Sequence, residues 1–241
     1  MAGGAFADAI SSDVVGYAQS DLRTGFTAVG SQFVAVGSSF DLNDLSGAGY
    51  DSSEGTDGDV SVQTLDASGN AVDIYFWVDV TDGDDIVYGW FDNDGELVER
   101  GTVSLSVGDG LWVESASDEL KLQSAGKVAT TDSQITLRAG FKMVANGTPV
   151  AVDLTDIYVS GYDLAEGTDG DVSVQTLDES GNAVDIYFWV DVTDGDDVVY
   201  GWFDNDGNEV EAGTVFVAPG AGLWAESSAA TFMINVPGVT L

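Results

Sequence analysis

One segment of this chain occurs twice. Residues 54–116 and residues 166–228 agree at 51 of 63 aligned positions, all at an offset of 112. Repetition at a fixed period indicates a structural unit that is used more than once, so any fold proposed for the first copy must serve for the second. A chain that duplicates a whole unit more often presents two copies of a surface than builds one catalytic cleft.

The similarity extends beyond this segment and sets the expected domain boundaries. Upstream, Leu22 to Phe26 aligns with Leu137 to Phe141 at an offset of 115, so the first unit carries three extra residues before Gly49. We expect an N-terminal arm over residues 1–13, a first domain over residues 14–128 and a second domain over residues 129–241. Each unit has about the length of an independent domain, roughly 100–150 residues.

Alternation of polar and apolar residues predicts β-strands throughout both units. From Val72 to Val80 every second residue is apolar, and the residues between them include Tyr75 and Trp77. We expect the fully apolar face of this strand to lie in the core and the face with Tyr75 and Trp77 to lie outside.

Turns rich in Asp, Asn and Gly separate the predicted strands, and Asp41 is placed to cap a short helical turn over Leu42 to Leu45. Each unit then holds about eight to ten short strands, as in antiparallel sandwiches and barrels. The predicted fold class is all-β, with two tandem homologous antiparallel domains, each a β-sandwich or a barrel.

The chain is strongly acidic but rich in apolar residues. It has 42 Asp and Glu residues against 6 Lys and Arg, a formal charge of −36, and 44% hydrophobic residues. The apolar and aromatic content indicates a folded protein with an acidic surface, since disordered acidic tails lack such residues. Nucleic acid and anionic membranes are disfavoured as partners because they bind clustered Lys and Arg. Repulsion at this charge is relieved by high salt, by bound Ca²⁺, or by both.

Two residue types are missing, and their absence excludes several kinds of chemistry. The chain has no Cys and no His. Disulfides, Cys zinc sites and the Ser-His-Asp and Cys-His arrangements therefore cannot form. Pairs of carboxylates for glycoside hydrolysis carry almost no specificity where acidic residues are so numerous. We expect that the protein is not an enzyme.

The N-terminus resembles the cleavage end of a secretory signal peptide. Ala5-Phe6-Ala7 has the A-x-A form and precedes Asp8, although the charged and apolar regions of a signal peptide are not seen before it. We expect residues 1–13 to hold the remnant of a signal peptide and an arm, and the protein to be secreted, extracellular or at the cell surface. No segment reaches the ~18 apolar residues of a membrane-spanning helix.

Acidic turns are candidate Ca²⁺ sites, because Ca²⁺ takes six to eight oxygen ligands at about 2.3–2.6 Å from carboxylates and loop carbonyls. The turn from Asp92 to Gly95 begins like an EF-hand loop, but Val103 stands where the bidentate Glu is required, so an EF-hand is rejected. A site that draws ligands from adjacent turns stays open, as does a purely structural role in the turns. The candidate ligands are Asp57, Asp59, Asp82, Asp84, Asp85, Asp92 and Asp94 in the first unit, and Asp169, Asp171, Asp194, Asp196, Asp197, Asp204 and Asp206 in the second.

Aromatic residues on the expected outer strand face are candidate contact residues. Tyr75 and Trp77, with Tyr187 and Trp189 in the second unit, are bracketed by carboxylates. Exposed aromatic side chains beside carboxylates bind sugars by stacking and hydrogen bonding. Alternatively, another sheet, the sister unit or a neighbouring subunit covers this face.

A set of short motifs resembles a group of bacterial secreted β-repeat proteins to which no activity is assigned. The motifs are Val15-Gly16-Tyr17, Leu22 to Phe26, Leu42 to Leu45, Gly89-Trp90 and Gly108 to Trp112, with Pro219 to Trp224 in the second unit. The resemblance implies secretion and a β-module, and it implies no catalytic residues.

The function we expect is that of a secreted structural protein that assembles with itself into an extracellular surface layer, sheath or filament. The N-terminal arm, about residues 8–20, could add a strand to a neighbouring sheet edge. The alternative is a pair of tandem carbohydrate-binding modules on a secreted protein, with a cell-surface glycan as the partner.

Overall fold

The computed structural model describes residues 15–33, 40–51, 55–82, 85–163, 167–178, 180, 182–194 and 197–239. Every regular element in this part of the chain is a β-strand or a short 3₁₀ turn. All paired strands are antiparallel. The predicted all-β class is therefore confirmed, whereas the domain boundaries at residues 14–128 and 129–241 stay a prediction.

The first repeat contains strands β1 to β10. Their bounds are β1 Val15–Asp21, β2 Gly25–Gly30, β3 Phe40–Asp41, β4 Leu45–Ala48, β5 Asp57–Leu65, β6 Ala71–Asp82, β7 Asp85–Phe91, β8 Ser104–Leu105, β9 Gly110–Ser115 and β10 Lys121–Lys127, with a 3₁₀ turn at Leu42–Asp44.

The second repeat contains strands β11 to β20 in the same order. Their bounds are β11 Ser133–Thr136, β12 Gly140–Ala145, β13 Val152–Asp153, β14 Tyr158–Ser160, β15 Asp169–Leu177, β16 Ala183–Asp194, β17 Asp197–Phe203, β18 Phe216–Val217, β19 Gly222–Ser227 and β20 Met233–Val236, with a 3₁₀ turn at Leu154–Asp156.

Each repeat is a sandwich-like arrangement of two sheets and a short ribbon. In the first repeat a five-stranded sheet has the order β2-β9-β5-β6-β7, a three-stranded sheet has the order β1-β10-β4, and β3 pairs with β8. The second repeat has the equivalent orders β12-β19-β15-β16-β17, β11-β20-β14 and β13-β18. Leu45 and Leu122 of the smaller sheet share one buried cluster with Val60, Val62 and Val113 of the larger sheet, so the core lies between the two sheets.

Tryptophans join the two sheets of each repeat. The Trp90 side chain is fully buried, and its indole Nε1 donates to the carbonyl oxygen of Leu45 at 2.9 Å. Trp77 packs against Trp90, with ring centroids 5.3 Å apart, and lies over Gly47, where an added Cβ would stand 2.5 Å from the indole ring. A side chain at Gly47 would therefore overlap Trp77 where it now lies, whereas the second repeat accommodates Val159 at the equivalent position.

The predicted orientation of β6 is wrong. Trp77 is 9% exposed and Trp189 is 6% exposed, and both belong to the cores. The apolar face that we expected to be buried points outward instead, and Val72 is 58% exposed. Alternation separates the two faces of a strand but does not say which is inside. Here the larger buried area of the indoles outweighs that of the valines.

The cap at Asp41 was predicted from the sequence, whereas the pairing of the first strand was not. Asp41 caps the 3₁₀ turn, as predicted, and its carboxylate accepts from the backbone of Asn43 at 3.0 Å. The described part of the expected arm does not extend freely, because β1 pairs with β10 of the same chain from Val15↔Lys127 to Asp21↔Lys121. Residues 8–14 of the arm lie outside the described residues.

Candidate functional site

An acidic groove with a tyrosine in its wall lies at the same place in each repeat. In the first repeat it has a volume of about 410 Å³ and runs between β6 and the turn that follows β7. The hairpin pairs Phe76 with Phe91, which brings the start of this turn next to Tyr75. The polar side chains of the groove are Asp73, Tyr75, Asp92, Asn93, Asp94, Glu99 and Thr102.

The equivalent groove of the second repeat is larger, with a volume of about 650 Å³. Its walls include Asp185, Tyr187, Asp204 and Asp206, and Glu209 takes the place that Leu97 has in the first repeat. The second groove therefore holds one more carboxylate than the first, which makes it the better candidate for a cationic or hydroxyl-rich ligand.

The tyrosine of each groove is held in its protonated form. Burial raises the pKa of the Tyr75 hydroxyl, and the nearby carboxylates of Asp73 and Asp92 raise it further. For Tyr187 burial again acts first, followed by Asp185 and Asp204. A neutral phenol that donates a hydrogen bond, flanked by carboxylates that accept them, suits a ligand with several hydroxyl groups.

The first aspartate of each turn is occupied by the turn itself. In the second repeat, one carboxylate oxygen of Asp204 accepts from the backbone N–H groups of Asp206 at 2.9 Å and Asn208 at 2.8 Å. The pKa of Asp204 is lowered, chiefly by the bond from the Asn208 backbone and then by the Asn208 side-chain amide. Gly207 takes a positive φ of 80° in the same turn. The D-x-x-G pattern is therefore explained by hairpin geometry.

Sequence reasoning missed two aspartates that act in the same way. The Asp66 carboxylate accepts from the backbone of Ser68 at 2.8 Å and of Asn70 at 2.9 Å, and Asp178 makes the equivalent bonds with Ser180 and Asn182. The signal was present, because D-x-S-G-N at residues 66–70 has the same form as D-N-D-G-N at residues 204–208.

The remaining predicted metal ligands are dispersed or lie outside the described side chains. Asp57, Asp59 and Asp85 are exposed, and Asp171 accepts from the Ser228 hydroxyl at 2.8 Å. Asp84 and Asp196, and the side chains of Asp82, Asp169, Asp194 and Asp197, fall outside the described part. Among the described residues, no group of three or more acidic side chains is arranged to hold a metal ion.

The four predicted aromatic contact residues fall into two classes. Tyr75 and Tyr187 line the grooves beside Asp92 and Asp204, so the structure joins residues that the sequence placed in separate sites. Trp77 and Trp189 are core residues covered by the smaller sheet of their repeat, which is one of the alternatives left open for this strand face. The other expectation, that these two side chains contact a glycan or a neighbour, is wrong because they are buried.

The outer face of each β6–β7 hairpin is a second candidate surface, which we call the outer stripe. In the first repeat it consists of the cross-strand pairs Phe76↔Phe91, Val78↔Gly89 and Val80↔Val87, with Ile74 and Val72 extending it along β6. These side chains are half-buried or exposed, and no charged residue lies among these seven side chains and the one glycine. The second repeat repeats the pairs as Phe188↔Phe203, Val190↔Gly201 and Val192↔Val199.

The two repeats contact each other through reciprocal interactions. The guanidinium of Arg23 donates to the carbonyl oxygen of Leu177 at 2.9 Å, and that of Arg138 donates to the carbonyl oxygen of Leu65 at 2.7 Å. The backbone N–H of Gly30 donates to Gly220, and the equivalent N–H of Ala145 donates to Gly108. The tryptophans Trp112 and Trp224 meet at the centre, 6.0 Å apart.

Comparison with known proteins found no match. No protein-family model, no curated protein and no solved structure is significantly similar to the chain. The described residues contain no helix that is long and apolar enough to cross a membrane.

Proposed function

We propose that this protein is a secreted structural protein that assembles with itself into an extracellular layer, sheath or filament. The observation that carries the proposal is the outer stripe, an uncharged apolar strip of the sheet surface that occurs once in each repeat. Contiguous exposed apolar surface of this kind marks protein–protein contacts.

The charge of the remaining surface supports the same proposal. A chain with a formal charge of −36 repels its own copies, so contact is favoured where carboxylates are absent. Burying the exposed part of a Val or Phe side chain contributes on the order of 1 kcal/mol. Several such side chains on each of two facing stripes can outweigh repulsion once salt shortens its range to about 10 Å or less.

Assembly is tested by light scattering with size-exclusion chromatography and by electron microscopy. The purified chain is examined at low salt, at high salt, and in Ca²⁺ with and without chelator. Particles larger than one chain that grow with salt or Ca²⁺ are expected. A strictly monomeric particle under all four conditions would overturn the proposal.

The tyrosine grooves favour a second candidate function, the binding of a glycan by both repeats. The observation behind it is the pairing of a protonated Tyr75 or Tyr187 with flanking carboxylates in equivalent grooves. A glycan array with the Tyr75→Ala/Tyr187→Ala double variant tests it. The control is Tyr17→Ala, because Tyr17 is exposed on β1, away from both grooves. Binding that the control keeps and the double variant loses supports this function, and no binding by the unaltered chain excludes it for the glycans tested.

A further inference from the structure

The contact between the repeats has twofold character. Several interactions from the first repeat to the second have a counterpart in the opposite direction. Arg23 bonds Leu177 as Arg138 bonds Leu65, and the bridge Val29↔Ala221 matches the bridge Asp109↔Val144. The ion pair of Lys142 with Asp109, 3.1 Å apart, is an addition without a counterpart among the described residues. Reciprocal contacts of this kind define an isologous interface, in which the same patch is used on both sides. The two repeats are therefore related by a pseudo-twofold axis.

The same axis relates the two outer stripes. The strands that meet across the axis are β2 and β9 with β12 and β19, at one side of each five-stranded sheet. The stripes lie on β6–β7 and β16–β17, at the other side of those sheets. Trp112 faces Trp224 across the axis and lies on the same face of its sheet as Phe76, as the register of β9, β5 and β6 requires. The stripe thus continues a face that already makes a contact between repeats.

We propose, on the basis of the proposed function, that each outer stripe docks onto the equivalent outer stripe of a second copy of this chain about a new twofold axis. The occupant is a second copy because the stripe continues the face that binds the sister repeat. A stripe on another copy is also uncharged, so the pairing brings no carboxylate to the centre of the contact.

Two different twofold axes in alternation determine the form of the assembly. Successive half-turns about two axes combine into a rotation with a translation, so the contacts propagate as an open filament unless the axes intersect. Such an assembly has no polarity, since every contact in it is isologous. A chain with one stripe blocked retains a single contact and must stop at a dimer.

Matched variants of the two stripes test this directly. Val80 and Val192 are equivalent, and each is 38% exposed, so an aspartate at either position is compatible with the fold. Because the contact is twofold, each substitution places two carboxylates in it. Val80→Asp and Val192→Asp should each give dimers in light scattering, and the double variant should give monomers. Val80→Lys and Val192→Lys repeat the test with the opposite charge, and Val15→Asp on β1 is the control that assembles like the unaltered chain.

The outcomes separate this inference from the function on which it rests. Single variants that still form long particles would show that the stripe is not the contact. Single variants that become monomers would show a head-to-tail contact between unlike stripes, which also overturns the twofold arrangement. If the unaltered chain itself does not assemble, the proposed function fails. Circular dichroism and thermal unfolding confirm that each variant is folded.

Discussion

The guanidinium of Arg138 donates through Nη2 to the backbone carbonyl oxygen of Leu65, 73 positions earlier in the chain. Its Nε donates to the carbonyl oxygen of Phe141 at 2.7 Å, so one side chain connects the start of β12 to the end of β5. Arg23 makes the same pair of bonds, to Phe26 and to Leu177. With Lys142, which forms an ion pair with Asp109 of the first repeat at 3.1 Å, three of the chain's six basic residues join the two repeats.

Removal of either arginine should destabilise the chain by a similar amount. Arg23→Ala and Arg138→Ala each remove two charge-assisted hydrogen bonds to partly buried carbonyls, at an expected cost of about 1.5–3 kcal/mol. Denaturant unfolding of both variants measures this. Arg23→Lys and Arg138→Lys are the matched controls, and they should recover only part of the loss because an ammonium group cannot form the planar fork. Unequal losses at the two sites would contradict the pseudo-twofold relation.

The turn aspartates should give stability a specific pH dependence. Folding lowers the pKa of Asp204, first through the Asn208 backbone N–H and then through its side-chain amide. The carboxylate's contribution is complete above its unfolded pKa of about 3.9, and it is lost as the pH falls through the lower folded value. Asp204→Asn should therefore make the free energy of unfolding fall less steeply as the pH drops below about 4. Urea unfolding at several pH values measures this dependence.

The neighbouring Asp206 is the control for this effect. Its backbone N–H, rather than its carboxylate, bonds Asp204 in the same turn. Asp206→Asn removes the same formal charge but none of the hydrogen bonds that the Asp204 carboxylate accepts, so it should destabilise the turn less than Asp204→Asn does. Equal behaviour of the two variants would contradict the role of Asp204.

Trp90 and Trp77 are in contact, but replacing each by Phe should reduce the free energy of unfolding by different amounts. Trp90 donates to Leu45, whereas the buried Nε1 of Trp77 has no hydrogen-bond acceptor among the described residues. Trp90→Phe removes this buried hydrogen bond and should cost on the order of 1 kcal/mol more than Trp77→Phe. Chemical denaturation of both variants compares them. The expectation fails if Trp77→Phe is the more destabilising.

The close approach of the repeats depends on glycines, because they have no Cβ. A Cβ added to Gly30 would stand 2.1 Å from Cβ of Ala145 in the second repeat, and one added to Gly222 would stand 2.7 Å from the backbone carbonyl carbon of Ala28 in the first. Gly30→Ala and Gly222→Ala should each force the repeats apart, at a cost of about 1–3 kcal/mol. Gly95→Ala is the comparison, since Gly95 has open space around it and a φ of 78°, so only backbone strain of about 1–2 kcal/mol is expected. In thermal unfolding, Gly30→Ala should lower the melting temperature more than Gly222→Ala, because the overlap at Gly222 is smaller.

Local features of the fold were predictable because they depend on a few neighbouring residues. The cap at Asp41, the hairpin turns at Asp92 and Asp204 and the alternation in β6 all follow from residue type and spacing. These features set the strand pattern and with it the all-β class.

The orientation of β6 and the composition of the grooves were not predictable from local pattern. Which face of β6 is buried depends on the smaller sheet, which packs over Trp77 in the first repeat and over Trp189 in the second. The juxtaposition of Tyr75 with Asp92 depends on the register of the β6–β7 hairpin. The reciprocal contacts of Arg23 and Arg138 depend on how two whole repeats dock. Each of these needs contacts between residues that are distant in the sequence.

The pairing of β1 with β10 has a consequence for how the chain reaches its native state. Val15, the first residue of β1, pairs with Lys127, the last residue of β10, and β2 likewise pairs with the distant strand β9. Topologies dominated by such distant pairings fold slowly, in milliseconds to seconds, because the entropic cost of closing long loops comes before the stabilising contacts form. During synthesis the first repeat cannot finish folding until Lys127 is made, and its apolar strands stay open for that whole interval.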